Sequence, residues 1–499
     1  MTAIVLLILY MALMIAVGVW GMKKTSTLND FFLGGRSIGP WISAFAYGTS
    51  YFSAVVFIGF AGKLGWGFGP SVLWIAFGNT VFGSLLAWIV LGRRTRRMTQ
   101  NLSVMTMPEF LSERVGGKYI KIVAAIIVFV FLLPYSASVF KGLGHLFEVS
   151  FGIPYDLALL IMILVTGVYL VLGGYFAITL TDLIQGVIMI AGSIAMISIL
   201  TGKAGGFSGV ISRMTEAYVR HVPAGKGPST LLLVSLVLMT SFGTWGLPQM
   251  VQKFYAVKNE KIIKTAAVIT TIFAFIIGFS AYYTGALSHL FYESVPLSAA
   301  GTPDFDRLVP DLLVARLPEA LLALILLLVL SASMSTLSSL VLVSASSVSI
   351  DLYKGHINPE ISKENSLIMI RFLSAVFIAI SYFIARFQLS FIVYLMSLSW
   401  GAVAGAFMAP YLYCLYWKRT TRQGVMAGMV TGLVTSVSLY FILGEANSPI
   451  ASVTAMILPF FTVPAVSLLT APPAKDLVER AFEGVRVEPP ARASGRAAS

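Results

Sequence analysis

The sequence predicts an all-α integral membrane protein that crosses the bilayer many times, and three observations carry that prediction. The chain is 58% apolar and only 11% charged over 499 residues, with a mean hydropathy of +0.88, which is too apolar for a soluble globule. Its apolar stretches recur at about 20 residues, enough to span a hydrocarbon core about 30 Å thick. Lys and Arg are shared unevenly between the connections, as membrane topology requires. The single cysteine, Cys414, excludes an intrachain disulfide framework, and four histidines without paired spacing offer no metal site. No Gly-rich phosphate loop, H-E-x-x-H or nucleophile elbow occurs, so nothing points to an enzyme.

Thirteen candidate helices begin near residues 2, 41, 70, 119, 155, 180, 229, 262, 319, 366, 389, 424 and 450. The first lacks a small-residue cleavage site and precedes Lys23 and Lys24, so it reads as a retained anchor rather than a signal peptide. Connections after odd-numbered helices, together with the tail, hold 23 Lys and Arg, including Arg93, Arg94, Arg96, Arg97, Lys253, Lys258, Lys418, Arg486, Arg492 and Arg496. The remaining connections hold six: Lys203, Arg213, Arg220, Lys226, Arg307 and Arg316. This asymmetry places the N-terminus outside and the C-terminus inside. It also explains the net charge of +13 as an excess beside anionic headgroups rather than a nucleic-acid surface. From residue 471 to 499 the tail is rich in Pro, Ala and Ser, lacks apolar periodicity and is expected to be disordered.

The second and seventh helices look interrupted. One reads WISAFAYGTSYFSAVVFIGFAGKLGWG, with Gly48, Thr49, Ser50 and Ser53 close together. The other reads STLLLVSLVLMTSFGTWGLPQMVQ, with Thr240, Ser241, Gly243, Thr244, Gly246 and Pro248. Gly and Pro loosen the backbone ladder, and unwound carbonyls can then coordinate cations while half-helix N-termini attract anions. Two breaks five helices apart suggest paired five-helix halves.

In the ninth helix, residues Leu330 to Ser339 carry six hydroxyls inside an apolar run. Hydrocarbon penalises polar groups without partners, so this face meets protein, a cavity or an ion. Small hydroxylated residues also suit close helix packing. Depth favours the ion: at 1.5 Å per residue, Thr49 lies about 12 Å from the inner face and Ser335 about 24 Å from the outer one. Asp182, a turn or two into the sixth helix, reaches the same level. An acidic residue at that depth is costly and usually belongs to an ion or proton route.

The runs FFLGGRSIGP, LGGYFAITLTDLIQG, SMSTLSSLVLVSASSVSIDLYK and YWKRTTRQGVMAGMVTG resemble the sodium:solute symporter family, whose members include sodium-coupled transporters of proline, pantothenate, sialic acid and glucose. The resemblance covers about residues 5 to 470. It implies a transmembrane domain over 1–470 of the LeuT type, with two inverted five-helix repeats at about 41–202 and 229–418. It also implies a first sodium ion held by the carbonyls of Thr49, Phe52 and Ala332 and the side chains of Ser335 and Thr336. A second sodium ion, found in some members, would take Asp182, Ser338 and Ser339, with Ser335 shared.

The chain departs from the proline transporters at Tyr51, Thr240 and Thr244, whereas Tyr135, following Pro134, matches an aromatic of the family's substrate region. Ser53, Asn79, Trp245 and Gln249 complete an expected lining of small polar and aromatic groups. Lys141 is a candidate partner for a substrate carboxylate or else a lysine snorkelling outward, and Lys63 reads as snorkelling. The expectation is a multi-pass plasma-membrane symporter that imports a small organic solute, an amino acid or carboxylate, with one or two Na+ ions. It needs membrane lipid but no nucleic acid and no obligate protein partner. A proton-coupled carrier on the same fold, or a solute sensor that no longer transports, is the alternative.

Overall fold

The structure is a computed structural model that describes residues 2–23, 28–172, 175–298 and 301–485. Among these residues the chain is helical throughout, and the only β-pairings are the isolated bridges Ile38 to Val257 and Leu297 to Pro303. Nine described helices are long and apolar enough to cross a membrane, and a bent pair, Thr230–Trp245 with Pro248–Ala256, makes a tenth. Shorter apolar helices lie at Ile4–Trp20 and Tyr155–Leu164. The span Val55–Asn101 is not one rod, because Gly69 turns it with φ 51° and ψ −140°.

Both expected interruptions are present. In the first broken helix, Pro40–Tyr51 opens with proline at its N-terminus, where a missing N–H costs nothing. It stops when Phe52 turns extended, with φ −111° and ψ 127°, and helical geometry resumes at Val55–Phe60 and Ala61–Phe68. The second break bends by 41° between Trp245 and Pro248. A parallel bridge joins the two broken helices: the Ile38 N–H donates to the Ala256 carbonyl at 3.3 Å, and the Lys258 N–H to the Ile38 carbonyl at 3.0 Å. Arg36 reinforces this corner by donating to the carbonyls of Tyr255, Thr99 and Val104. Burial pushes its guanidinium down to about 10, so it stays cationic at neutral pH.

The half of the first broken helix that follows the break is seated on the helix Ile262–Leu287. A Cβ at Gly285 would overlap the Ala61 carbonyl, and one at Gly65 would overlap the backbone of Gly285, so only hydrogen permits this approach. The serine-rich helix Glu319–Ser346 is almost wholly buried, packed between Tyr175–Lys203 and Lys118–Phe151. The first helix, Thr2–Lys23, also leans on it, and Tyr10 OH accepts from Ser331 Oγ at 3.0 Å and from Gln185 Nε2 at 3.1 Å.

Three expectations need correction. The tail is not irregular from residue 471: Lys475–Phe482 is helical, and Asn101 Nδ2 donates to the carbonyls of Ala481 and Glu483. Lys63 does not reach outward, since its Nζ lies 3.8 Å from the Phe391 ring centre, 4.5 Å from that of Tyr394 and 4.8 Å from that of Phe305. Lys253, counted with the connections, points inward and is 1% exposed. Lys24, Arg486, Arg492 and Arg496 lie outside the described residues. Cys414 is fully buried, its carbonyl accepting from Arg114 Nε at 3.1 Å.

Candidate functional site

At the first break the helical ladder ends and leaves the last carbonyls without partners in their own helix. The serine helix meets them there. Ser335 Oγ lies 2.9 Å from the Thr49 carbonyl and 3.0 Å from that of Ala332. Thr336 Oγ1 lies 3.1 Å from the Ala332 carbonyl, 3.3 Å from that of Ser50 and 3.4 Å from that of Thr49. All five residues are buried. Three carbonyls and two hydroxyls therefore converge, and none carries a formal charge.

This donor set fits a hard monovalent cation. A calcium-sized ion holds oxygens at about 2.3–2.6 Å, which places neighbouring ligands at right angles roughly 3.3–3.7 Å apart. The observed oxygens need to open only slightly, and each hydroxyl can rotate its proton away to present a lone pair. Thr49, Ala332, Ser335 and Thr336 are thus brought together as the sequence suggests. Phe52 is the break itself, its ring stacked on Tyr51 with centroids 4.5 Å apart. Ser50 contributes a carbonyl that no side-chain pattern signals.

The second cluster is arranged differently. Asp182 is fully buried, and neither carboxylate oxygen accepts a hydrogen bond among the described residues. The cation beside it belongs to the protein: Lys253 Nζ lies 3.6 Å from Asp182 Oδ2 and donates to Ser339 Oγ at 3.0 Å. Ser339 Oγ also pairs with Ser50 Oγ at 3.0 Å, whereas Ser338 turns back to the Ser335 carbonyl of its own helix. Sequence reasoning missed Lys253; the available signal was an unmatched intramembrane acid that needed a positive partner.

The two breaks are joined on the side of the expected substrate lining. Tyr51 OH donates to the Thr240 carbonyl at 2.7 Å, and Thr240 Oγ1 lies 2.8 Å from Asn79 Oδ1. Thr244 Oγ1 reaches the carbonyls of Ser241 and Gly83, and Trp245 Nε1 donates to the Phe82 carbonyl at 3.0 Å. Ser53 Oγ accepts from the Val55 N–H at 3.2 Å, capping the resumed helix. Trp400, which sequence reasoning missed, contacts both tyrosines of this lining: its ring lies 6.4 Å from Tyr51 and 5.9 Å edge-on from Tyr135. Its Nε1 and the Oε1 of Gln249 are buried without protein hydrogen-bond partners among the described residues. Buried polar atoms are seldom left so unless a ligand or water completes them.

Lys141 is not available to a substrate carboxylate. Its Nζ is 2.8 Å from Asp306 Oδ2 and 3.0 Å from the Ser390 carbonyl, so its charge is neutralised inside the protein.

Comparison with known proteins places the chain by family and by fold. Residues 31–432 match the family model of the sodium:solute symporter family. The osmoregulated proline transporter OpuE of Bacillus subtilis is 30% identical over 473 residues, covering 94% of each chain. Sodium/proline symporter 2 of Staphylococcus saprophyticus is 29% identical over 467 residues, covering 91% of this chain and 88% of the relative. A Na+-coupled sialic acid symporter, solved in a substrate-bound outward-open state, superposes with a TM-score of 0.79 over 95% of this chain and 98% of its own, at 18% identity. MhsT in complex with L-phenylalanine gives 0.51 over 87% and 98%, at 12% identity. At these identities the structural likeness speaks to the fold alone. With its many apolar helices and a family model covering most of its length, this multi-pass plasma-membrane protein belongs to the sodium:solute symporter family.

Proposed function

We propose that the protein imports a small zwitterionic amino acid together with sodium, by alternating access, and catalyses no chemical step. The observation that carries this reading is the cradle of Thr49, Ser50, Ala332, Ser335 and Thr336, whose neutral oxygens suit a monovalent ion and join the first break to the serine helix. In this reading thirteen helices cross the membrane, the N-terminus is outside and the C-terminus inside. The repeats run over about 41–202 and 229–418.

Charge narrows the solute. Tyr51, Asn79, Tyr135, Thr240, Gln249 and Trp400 offer hydrogen bonds and aromatic faces but no ionised group, and Lys141 is already paired. A solute of zero net charge fits such a lining better than a carboxylate alone, its own carboxylate facing the free N–H groups of a half-helix. Proline is the first candidate, because both relatives described above are named as proline transporters. At about −100 mV one sodium ion gains about 2.3 kcal/mol from the potential. A tenfold sodium gradient adds about 1.4 kcal/mol, so one ion supports roughly 500-fold accumulation of a neutral solute.

Uptake of labelled proline, and of a panel of other amino acids, monocarboxylates and a neutral sugar, into proteoliposomes with and without a sodium gradient tests this directly. Sodium-dependent uptake of a zwitterion supports the reading. Sodium-independent, proton-driven uptake would move the coupling elsewhere, and preference for a sugar would overturn the solute class.

A further inference from the structure

We infer that the ammonium of Lys253 is the resident cation of the pocket formed by Asp182 and Ser339, and that the transporter therefore carries one sodium ion per solute rather than two. The inference rests on the sodium-coupled reading above and adds a stoichiometry to it.

The pocket has the elements of a cation site, and a cation of the chain itself is already in it. Asp182 supplies the one formal negative charge, and Lys253 Nζ stands 3.6 Å from its Oδ2. Ser339 Oγ accepts from the ammonium at 3.0 Å, and the ring of Tyr175 presents its face 5.3 Å away. A carboxylate, a hydroxyl and an aromatic face are the groups that hold an ammonium. Asp182 and Lys253 are 0% and 1% exposed, so bulk water does not screen them.

Counting charge decides what else the pocket accepts. Asp182 and Lys253 sum to zero, so a sodium ion bound by Asp182 and Ser339 would leave one uncompensated positive charge in a buried site. That ion would share Ser339 with the ammonium and sit about 4 Å from it, where repulsion at an effective dielectric near 20 weakens binding about a thousandfold. The neutral cradle one turn away meets no such penalty from a ligand of its own, because its oxygens bring no cation with them. The two places are nonetheless in contact: Lys253 reaches Ser339, Ser339 reaches Ser50 Oγ, and the Ser50 carbonyl belongs to the cradle.

Position adds a mechanical meaning. Lys253 rides on Pro248–Ala256, the half-helix after the second break, while Asp182 and Ser339 belong to Tyr175–Lys203 and Glu319–Ser346. A sodium ion at this pocket could leave; a tethered ammonium can only swing. Lys253 thus fixes the half-helix to its neighbours with a charge that is never transported.

Binding of radioactive 22Na+ to the purified full-length protein, counted per chain, tests the inference. Wild type and Lys253→Arg should bind one ion, and Lys253→Met should bind two, the second through the uncovered Asp182. Asp182→Asn should still bind one ion, and Lys253→Met/Asp182→Asn should return to one. Two ions in wild type, or a fall from two to one in Asp182→Asn alone, would overturn the inference while leaving sodium coupling intact. One ion in a folded Lys253→Met protein would overturn it as well. No sodium bound by wild type would instead defeat the sodium-coupled reading itself. Should Lys253→Met fail to fold, the wild-type and Asp182→Asn counts still decide.

Discussion

Lys141 and Lys253 are both buried opposite an aspartate, and the two pairs are built differently. At the end proposed to face outside, Lys141 Nζ is 2.8 Å from Asp306 Oδ2, the Ser390 carbonyl accepts a second hydrogen bond from it at 3.0 Å, and the Ile392 N–H donates to the same carboxylate oxygen at 3.3 Å. At the end proposed to face inside, Lys253 Nζ stops 3.6 Å from Asp182 and makes its close contact, 3.0 Å, to a serine hydroxyl instead. The outer pair ties Lys118–Phe151 and Phe305–Arg316 to the start of Ile392–Tyr416. It is a direct charge-assisted clasp. Among the described residues the inner pair leaves both carboxylate oxygens without hydrogen bonds, and it shares its hydroxyl with the wall of the proposed sodium cradle. In the short pair one carboxylate oxygen, Asp306 Oδ2, takes both the ammonium and a backbone N–H while Oδ1 stays without a hydrogen bond among the described residues, and such a clasp holds helices together; the looser pair has no hydrogen bond to either oxygen.

The largest expected effect lies at the outer clasp. Asp306→Leu strands the Lys141 ammonium in the interior, and breaking a buried pair in this way costs about 3–5 kcal/mol. The thermal transition of the purified protein should fall by several degrees equally in sodium and in potassium. Lys141→Met/Asp306→Leu should recover most of the loss. A single variant as stable as wild type would mean that the clasp does not hold the helices.

Next in size is Lys253→Met, which leaves Asp182 as the unpaired charge. Here the loss should depend on the ion: large in potassium and mostly restored in sodium, which can take the vacated place. If the thermal transition of Lys253→Met moved equally in both salts, the contrast between the two pairs would disappear.

Thr336→Ala tests the neutral cradle against its charged neighbour. Removing one oxygen should raise the sodium concentration for half-maximal uptake by tenfold or more, at about 1.4 kcal/mol per decade. Unchanged sodium dependence in a well-expressed variant would remove Thr336 from the ion's shell. Trp400→Phe should have the smallest effect. It deletes the Nε1 donor, and a single hydrogen bond worth about 0.5–1.5 kcal/mol predicts a solute KM raised roughly two- to tenfold with sodium affinity unaltered. A shift in sodium affinity alone would place Trp400 with the ion instead.

The pattern of breaks was legible because Gly48, Gly243, Gly246 and Pro248 interrupt otherwise unbroken apolar runs, and so few residue types permit an interruption at that depth. Ser335 and Thr336 were legible for a related reason: six hydroxyls in ten residues stand out in hydrocarbon. Ser50 was not, since it serves through a carbonyl that every residue possesses. Lys253 was misplaced because counting charge per connection records how many cations lie near an interface and not which way they face. The partner of Lys141 was hidden by distance, Asp306 being 165 positions away on a short connecting helix. Lys475–Phe482 is only eight residues long, too short for periodicity to separate it from the irregular tail around it.

Cys414 has a practical use that follows from its place. It is the only thiol in the chain and is fully buried, so a bulky aqueous maleimide has nothing native to modify. The protein is in effect its own cysteine-light background. A single cysteine introduced at Ser390, beside the Lys141 clasp, would report exposure of one face of the membrane, and one at Lys258, beside the bridge from Ile38, would report the other. Comparing their labelling rates in sodium and potassium would follow exposure at the two positions in turn, with the rest of the chain unaltered.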